Sequence, residues 1–221
     1  MMKKTTLFSL LVPAALLVGC HERSAVNGLT VEMLDCPLGV AAEHPRLSWR
    51  IESALPATVQ TGYRILVSTD PGDLETGENL IWDSGDVPSD RSVLVPYEGP
   101  ELESRRDYYW KVRVATNHGD TLWSEPSRWS MALLDDSDWQ ARWIGYDSCL
   151  NRTDTLGVFS RLAARYLRKE FDAGRDIAQA RLYISGLGLY ECYLNGCRVG
   201  EDVLAPTATD YTKTVCYNVY D

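Results

Sequence analysis

The chain has 221 residues, of which 45% are hydrophobic and 24% are charged, and its formal net charge is −9. This balance excludes both a disordered chain and a multispan membrane protein. The 31 acidic residues against 22 basic ones argue against nucleic acid as the main partner, because an acidic surface repels the phosphate backbone. The three histidines have no metal-ligand spacing, which argues against a metal enzyme.

The N-terminus has the pattern of an export signal. Two lysines precede an apolar run over residues 7–18, which is shorter than the roughly 20 residues that a bilayer-spanning helix needs. The run leads into a glycine and Cys20, which resembles the bacterial lipobox, where the cysteine becomes the lipidated first residue of the mature chain. We therefore predict a lipoprotein signal peptide over residues 1–19, lipidation of Cys20 and a tether over residues 20–26.

The predicted anchor also predicts a location. Two or more acyl chains make membrane attachment stable, so we expect the protein in the bacterial cell envelope, anchored by lipid on its periplasmic or cell-surface side. The pattern leaves an alternative open, which is an ordinary signal peptide followed by an incidental cysteine.

The six cysteines leave an odd number after Cys20, so at least one of the remaining five has no disulfide partner within the chain. Cys192 and Cys197 flank Asn195 and Gly196. In a two-residue hairpin these two cysteines would lie diagonally on one face, which is poor disulfide geometry. We predict no bridge between them.

Residues 27–134 have the pattern of an all-β domain. Turn signals separate short runs with period-two alternation, and no convincing helical period occurs. Seven strands are predicted, over residues 29–33, 46–51, 63–67, 80–84, 92–95, 108–114 and 127–133. Seven short strands in about 105 residues predict an immunoglobulin-type sandwich, and the details resemble a fibronectin type III domain, with Trp49 on the second strand and Tyr108 as a candidate tyrosine-corner residue.

The tryptophans and tyrosines allow two interpretations, because each has an apolar body and a polar group. They can fill the core or form a platform that stacks against sugar. We expect Trp49, Tyr108 and Trp110 to be core residues. Trp82 and Trp123 lie closer to predicted turns, so the sugar platform is a stronger alternative for these two, although the core is still favoured.

A second β-rich unit is predicted over residues 139–221, after the polar break at 135–138. Alternating residues predict strands around 180–184 and 189–194. Asn195 and Gly196 form the strongest short hairpin signal, because a type I′ turn needs a positive φ at both positions.

This second unit closely resembles the N-terminal region of bacterial α-L-rhamnosidases. That family also carries a fibronectin-like domain immediately before it, so the resemblance covers residues 27–221. The matching strings are Trp139-x-Ala-x-Trp143-Ile, Leu167-Arg-Lys-x-Phe171, Ala180-Arg-Leu-Tyr-Ile-Ser-Gly-Leu-Gly-Leu-Tyr190, Tyr193-Leu-Asn-Gly196-x-Arg-Val-Gly200, Leu204-Ala-Pro206 and Thr209-Asp-Tyr211.

The resemblance implies a secreted glycoside hydrolase that removes terminal α-L-rhamnose from glycans or glycosides with inversion. Inversion needs two carboxyl groups roughly 6.5–9.5 Å apart. In the family these lie in a helical (α/α)6 barrel several hundred residues further on, so no catalytic residue is assigned here. Glu170, Glu191 and Glu201 are interpreted as solvated surface groups, and we expect no hydrolysis by this chain alone.

The resemblance also implies that residues 139–221 form an incomplete, jelly-roll-like β-sandwich. We expect it to leave an unpaired strand edge and an uncovered apolar face. No cofactor is predicted, although Asn195, Asp202 and Asp210 carry oxygen atoms of the kind that bind calcium.

Two other classes of function remain open. The chain could be a stand-alone surface lipoprotein that binds glycan without cleaving it, in which case exposed aromatic side chains would stack against the sugar. It could also be a protein–protein adhesion module, which only the fibronectin-like fold supports.

Overall fold

The computed structural model describes residues 24–145, 164–174 and 176–221, and these are nearly all β-structure and irregular segments. No helix among them is long and apolar enough to cross a bilayer. The predicted signal peptide and Cys20 lie outside the described residues. The elements in chain order are β1 (Ala25–Val31), β2 (Arg46–Glu52), β3 (Gln60–Ser68), α1 (Pro71–Thr76), β4 (Trp82–Asp83), β5 (Val95–Pro96), β6 (Asp107–Thr116), β7 (Thr121–Trp123), β8 (Ser127–Ser130), a 3-10 turn (Asp136–Asp138), β9 (Leu182–Ser185), β10 (Tyr193–Leu194), β11 (Cys197–Arg198) and β12 (Tyr217–Tyr220).

Two antiparallel sheets make up the first unit. One has the order β1-β2-β5, and the other has the order β4-β3-β6-β7, with β8 also pairing with β6. The pairing of β3 with β6 is the longest, and runs from Gln60 opposite Thr116 to Ser68 opposite Tyr109. The all-β prediction is confirmed.

The core lies between these sheets and contains the large aromatic side chains. Trp49, Tyr108 and Trp110 are each at most 2% exposed, which confirms the prediction that they are core residues. They pack in one cluster with the alternating residues of β2, β3 and β6. Full burial of one large apolar side chain is worth about 1.5–3 kcal/mol, so this cluster dominates the stability of the unit.

A buried amide, that of Gln60, supplies the hydrogen-bond partner of the Trp49 indole in this core. The side-chain oxygen of Gln60 accepts a hydrogen bond from the indole nitrogen of Trp49 at 2.9 Å. Its side-chain nitrogen donates to the carbonyls of Ser89 and Arg91 at 3.0 and 2.9 Å. A buried polar group stabilises a fold only when it has partners, and here those partners attach the 89–91 loop to the core.

Tyr108 forms the predicted tyrosine corner. Its hydroxyl accepts a hydrogen bond from the backbone N–H of Glu103 at 2.9 Å, and its ring stacks on Trp129 with centroids 5.3 Å apart. Burial raises the pKa of the Tyr108 hydroxyl and raises that of Tyr97 to about 12. Both hydroxyls therefore stay protonated at physiological pH.

The sequence patterns do not predict two elements of the first unit, α1 and β7. The helix α1 spans only six residues, which is too short for a helical period to show. Its ends carry the signals instead: Asp70 is the N-cap and accepts from Gly72 N at 2.8 Å, Pro71 begins the helix, and Gly77 ends it with φ 74°. Strand β7 lies between two predicted strands and pairs with β6 from Arg113 to Ala115.

The second β-rich unit, residues 139–221, is called the second segment below. It contains two small antiparallel ladders among its described residues. β9 pairs with β12, and β10 pairs with β11. The predicted hairpin is confirmed, with Leu194 opposite Cys197 and positive φ values of 50° at Asn195 and 84° at Gly196. The predicted strand over 189–194 is wrong in extent, because only its last two residues form a ladder.

We predict that Tyr108→Phe destabilises the first unit by about 1–3 kcal/mol, because the backbone N–H of Glu103 loses its buried acceptor. Urea unfolding followed by tryptophan fluorescence measures this. Tyr109→Phe is the matched control on the opposite, half-exposed face of β6, and we expect it to change stability by less than about 0.5 kcal/mol. Equal effects of the two substitutions would contradict a special role for the corner.

Candidate functional site

Outside the core, an ion pair and a neighbouring group of aromatic rings connect the first unit to the second segment. The Asp107 carboxylate, at the start of β6, accepts hydrogen bonds from Arg181 Nη2 at 2.6 Å and from Gln179 Nε2 at 3.2 Å. We call this contact, together with the aromatic group of Trp139, Tyr183 and Tyr217, the junction. It fixes the segment just before β9 against the start of the central strand.

The junction ion pair is shielded from solvent. The side chains of Arg181 and Asp107 are 8% and 21% exposed. Burial disfavours the charge of Arg181, but its hydrogen bond to Asp107 and the charge of that carboxylate outweigh this effect and raise the guanidinium pKa. Removing one partner of such a pair leaves the other desolvated and uncompensated, so the pair specifies how the two parts meet.

Aromatic rings extend the junction beside this ion pair. The Tyr217 hydroxyl, on β12, accepts a hydrogen bond from Leu133 N of the first unit at 2.9 Å. The ring centroid of Tyr217 lies 5.6 Å from that of Trp139 and 6.3 Å from that of Tyr183. The guanidinium of Arg105 lies 5.9 Å from the centre of the Tyr183 ring. Residues from both parts of the chain therefore interlock.

One glycine permits a close approach between the first unit and β12. A side-chain carbon at Gly39 would lie 2.7 Å from Cγ2 of Val219 on β12, and the φ of Gly39 is +71°. Both the close contact and the backbone conformation require glycine here. The sequence pointed to none of Gly39, Asp107 and Arg181, because no local pattern links residues so far apart in the chain.

The three considered carboxylates, Glu170, Glu191 and Glu201, are exposed surface groups. Glu170 forms an exposed ion pair with its neighbour Arg168. Glu191 accepts a hydrogen bond from the Tyr193 hydroxyl at 2.9 Å, and Glu201 is exposed. All three lie on the surface, which confirms their interpretation as solvated groups.

The possible calcium ligands do not form a cluster either. Within the described ranges no group of three or more metal-ligating side chains comes together. Asp210 instead accepts from Thr212 N at 3.1 Å and pairs with Lys213 at 3.2 Å. These contacts lower the pKa of the Asp210 carboxyl group, and they bind its oxygens to neighbouring residues.

The two tryptophans near turns differ in their surroundings. Trp82 is half-buried and packs edge-on against Tyr97, with ring centroids 4.9 Å apart. Trp123 is 43% exposed, so the expectation that it is a core residue is wrong. It lies on the short strand β7 at the edge of the sheet.

A group of apolar side chains is exposed on the second segment. Its members are 52–77% exposed, although each is large and apolar. Exposed apolar side chains that gather on a surface mark a region that another part of a protein can cover. We call them the exposed apolar group: Leu187, Leu189, Tyr193, Leu194, Val203 and Leu204.

The cysteines of the described residues are unbridged. Cys36, Cys192, Cys197 and Cys216 are all free thiols, so the prediction of no bridge between Cys192 and Cys197 is confirmed. The remaining ones, Cys20 and Cys149, lie outside the described residues.

The chain thus combines an immunoglobulin-like sandwich with a β-rich second segment, and the shielded junction connects them. This arrangement is typical of modular, multi-domain proteins. Family models match both parts: the Rha78A-like N-terminal immunoglobulin domain over residues 26–135, and the alpha-L-rhamnosidase N-terminal domain over residues 175–221. Both matches support an N-terminal α-L-rhamnosidase region.

Individual relatives agree with this assignment. An alpha-L-rhamnosidase of Formosa agariphila is 33% identical over 97% of this chain and 25% of its own length, and one of Streptomyces avermitilis is 35% identical over 89% and 20%. The chain thus spans a quarter or less of these curated relatives.

Solved structures give the same result. The alpha-L-rhamnosidase from Dictyoglumus thermophilum has a TM-score of 0.79 and 34% identity, over 89% of this chain and 23% of that one. The Streptomyces avermitilis enzyme, solved with L-rhamnose, has a TM-score of 0.55 and 30% identity, over 90% and 20%.

We predict that Arg181→Met loosens the second segment from the first unit, because Asp107 loses its main partner in a shielded position. Hydrogen exchange should speed up in β9 and β12 and stay unchanged in β3, since local opening follows local contacts. The matched control is Arg198→Met, an exposed arginine whose contact lies within its own hairpin region. Unchanged exchange in β9 and β12 would show that the ion pair does not hold the junction.

Proposed function

We propose that this chain is the non-catalytic N-terminal part of an α-L-rhamnosidase that removes terminal α-L-rhamnose from glycans or glycosides. The observation that carries this proposal is the joint match of both structural parts to a solved rhamnosidase, with a TM-score of 0.79 over 89% of the chain. A match to the sandwich alone would support only the fold, because such sandwiches have many functions.

The contacts of the chain support a structural role within a larger enzyme. The junction holds the second segment against the immunoglobulin-like unit through a shielded ion pair and a backbone-to-tyrosine hydrogen bond. The exposed apolar group lies on that same segment. We propose that the rest of the enzyme covers it, since burial of apolar area is the main favourable term when domains pack together.

We predict that residues 24–221 alone do not hydrolyse p-nitrophenyl α-L-rhamnopyranoside, because Glu170, Glu191 and Glu201, the carboxylates considered for the reaction, are exposed surface groups. A chimera in which these residues replace the matching region of the Dictyoglumus thermophilum enzyme should be active. The control is the same enzyme with that region deleted and not replaced.

Two outcomes would contradict the proposal. One is release of p-nitrophenol by the chain alone at a rate that increases with protein concentration. The other is a chimera that has native-like circular dichroism and a cooperative unfolding transition but no activity above that of the deletion control.

We further propose that the protein is exported and anchored to the bacterial envelope through lipid on Cys20. The support is the charged, apolar and small-residue order of the first 20 positions. We predict that the full chain takes up an alkyne-labelled fatty acid in a bacterial host and that Cys20→Ala abolishes labelling. Cys36→Ala, which removes an exposed thiol from the first unit, is the control and should leave labelling intact. Labelling that survives Cys20→Ala would overturn the anchor.

Carbohydrate binding by the chain itself is a second candidate function. The specific observation in its favour is Trp123, which presents 43% of its surface to solvent at a sheet edge. An exposed indole has a flat apolar face with a polar edge, and such side chains are frequent in binding surfaces.

A further inference from the structure

On the outer face of the larger sheet, side chains of neighbouring strands lie in rows that run across the strands. Gly62 pairs with Ala115, and Ala115 pairs with Thr121 on its other side. Two residues before Ala115 on β6, Arg113 lies opposite Trp123. Directly opposed residues project from the same face of a sheet. A row of small side chains therefore borders a row that carries a cation and a large aromatic ring.

The small row forms the floor of a groove. The groove has a volume of about 500 Å³ and is lined by residues that include Gly62, Ala115, Thr121 and the segment 86–88. Backbone hydrogen bonds between Tyr63 and Val87, of 2.9 and 2.8 Å, hold that segment against β3. Thr121, on β7, lines the opposite side. This volume falls within the range of roughly 300–1,000 Å³ typical of small-molecule sites.

Trp123 lies beside Arg113, one of the residues that line the groove, and two cations contact its ring. The Lys111 ammonium lies 4.9 Å from the centre of its ring, and the Arg113 guanidinium lies 5.6 Å from it. Each contact of this kind contributes about 0.5–1 kcal/mol at an exposed site. Arg113 also lines the groove, so the ring and the groove are parts of one surface.

The charges around the groove are balanced. Arg113 pairs with Asp86, and Lys111 pairs with Glu75 at 3.0 Å. An anionic ligand would have to displace one of these carboxylates. Asp86 is 73% exposed and keeps free acceptor positions beside the donors of Arg113. A carboxylate next to a guanidinium suits adjacent hydroxyl groups, which both donate and accept.

We propose that this groove and Trp123 together form a non-catalytic binding site for a neutral saccharide chain. One pyranose ring stacks its C–H face on the exposed indole. The next sugar lies over Gly62 and Ala115, with its hydroxyls bonded to Asp86 and Arg113. The inference rests on the proposal that the chain binds carbohydrate, and adds the site and the ligand chemistry.

Isothermal titration of residues 24–221 tests the site, with methyl α-L-rhamnopyranoside and solutions of galactomannan and arabinogalactan as neutral probes and polygalacturonate as the acidic one. We expect a neutral polysaccharide to bind and Trp123→Ala to weaken its binding about tenfold, the loss of roughly 1.4 kcal/mol of stacking. Asp86→Asn should weaken the binding of the neutral polysaccharide less than Trp123→Ala does. Trp143→Ala removes a tryptophan that is 61% exposed outside the groove and should have no effect.

The other outcomes separate the site from the proposal beneath it. Binding that survives Trp123→Ala, or is lost equally in Trp143→Ala, overturns this site while carbohydrate binding stands. Preference for polygalacturonate overturns the neutral ligand. No binding of any probe overturns both the site and carbohydrate binding, and leaves the rhamnosidase assignment to the hydrolysis test.

Discussion

Strand β6 is hydrogen-bonded along both edges, and the rest of the structure depends on this pairing. It pairs with β3 along one side and with β8 and then β7 along the other. Because side chains alternate across a strand, its inner face supplies Tyr108, Trp110 and two valines to the core. Its outer face supplies Lys111 and Arg113. One ten-residue strand thus carries the core, the tyrosine corner and the cations of the groove.

The junction begins where this strand begins. Asp107 precedes the corner residue Tyr108, so the carboxylate that holds Arg181 has its backbone fixed by the pairing of β6 with β8. A charged pair in a shielded position is costly unless its geometry is maintained. The rigid strand start maintains it, and this explains how a segment with little core of its own is held in one place.

The two parts of the chain differ in how they handle apolar surface. The first unit encloses its large side chains between two sheets, whereas the second segment has two short ladders and leaves the exposed apolar group uncovered. The contrast fits a first unit that is stable through its own core and a second segment that gains stability from its contacts. Among the tryptophans of the first unit, Trp123 is the exposed one, and it contacts Arg113, which lines the groove.

Local residue patterns by themselves determined the strands of the sandwich other than β7, the burial of Trp49, Tyr108 and Trp110, and the hairpin at Asn195 and Gly196. Each depends on neighbours a few residues away or on a fixed backbone preference. The tertiary structure alone decided the junction, because Asp107 and Arg181 lie 74 residues apart and their pairing needs both sheets in place. It also decided that Trp82 packs half-buried against the core while Trp123 stays exposed, since exposure depends on which neighbours the fold brings to each ring.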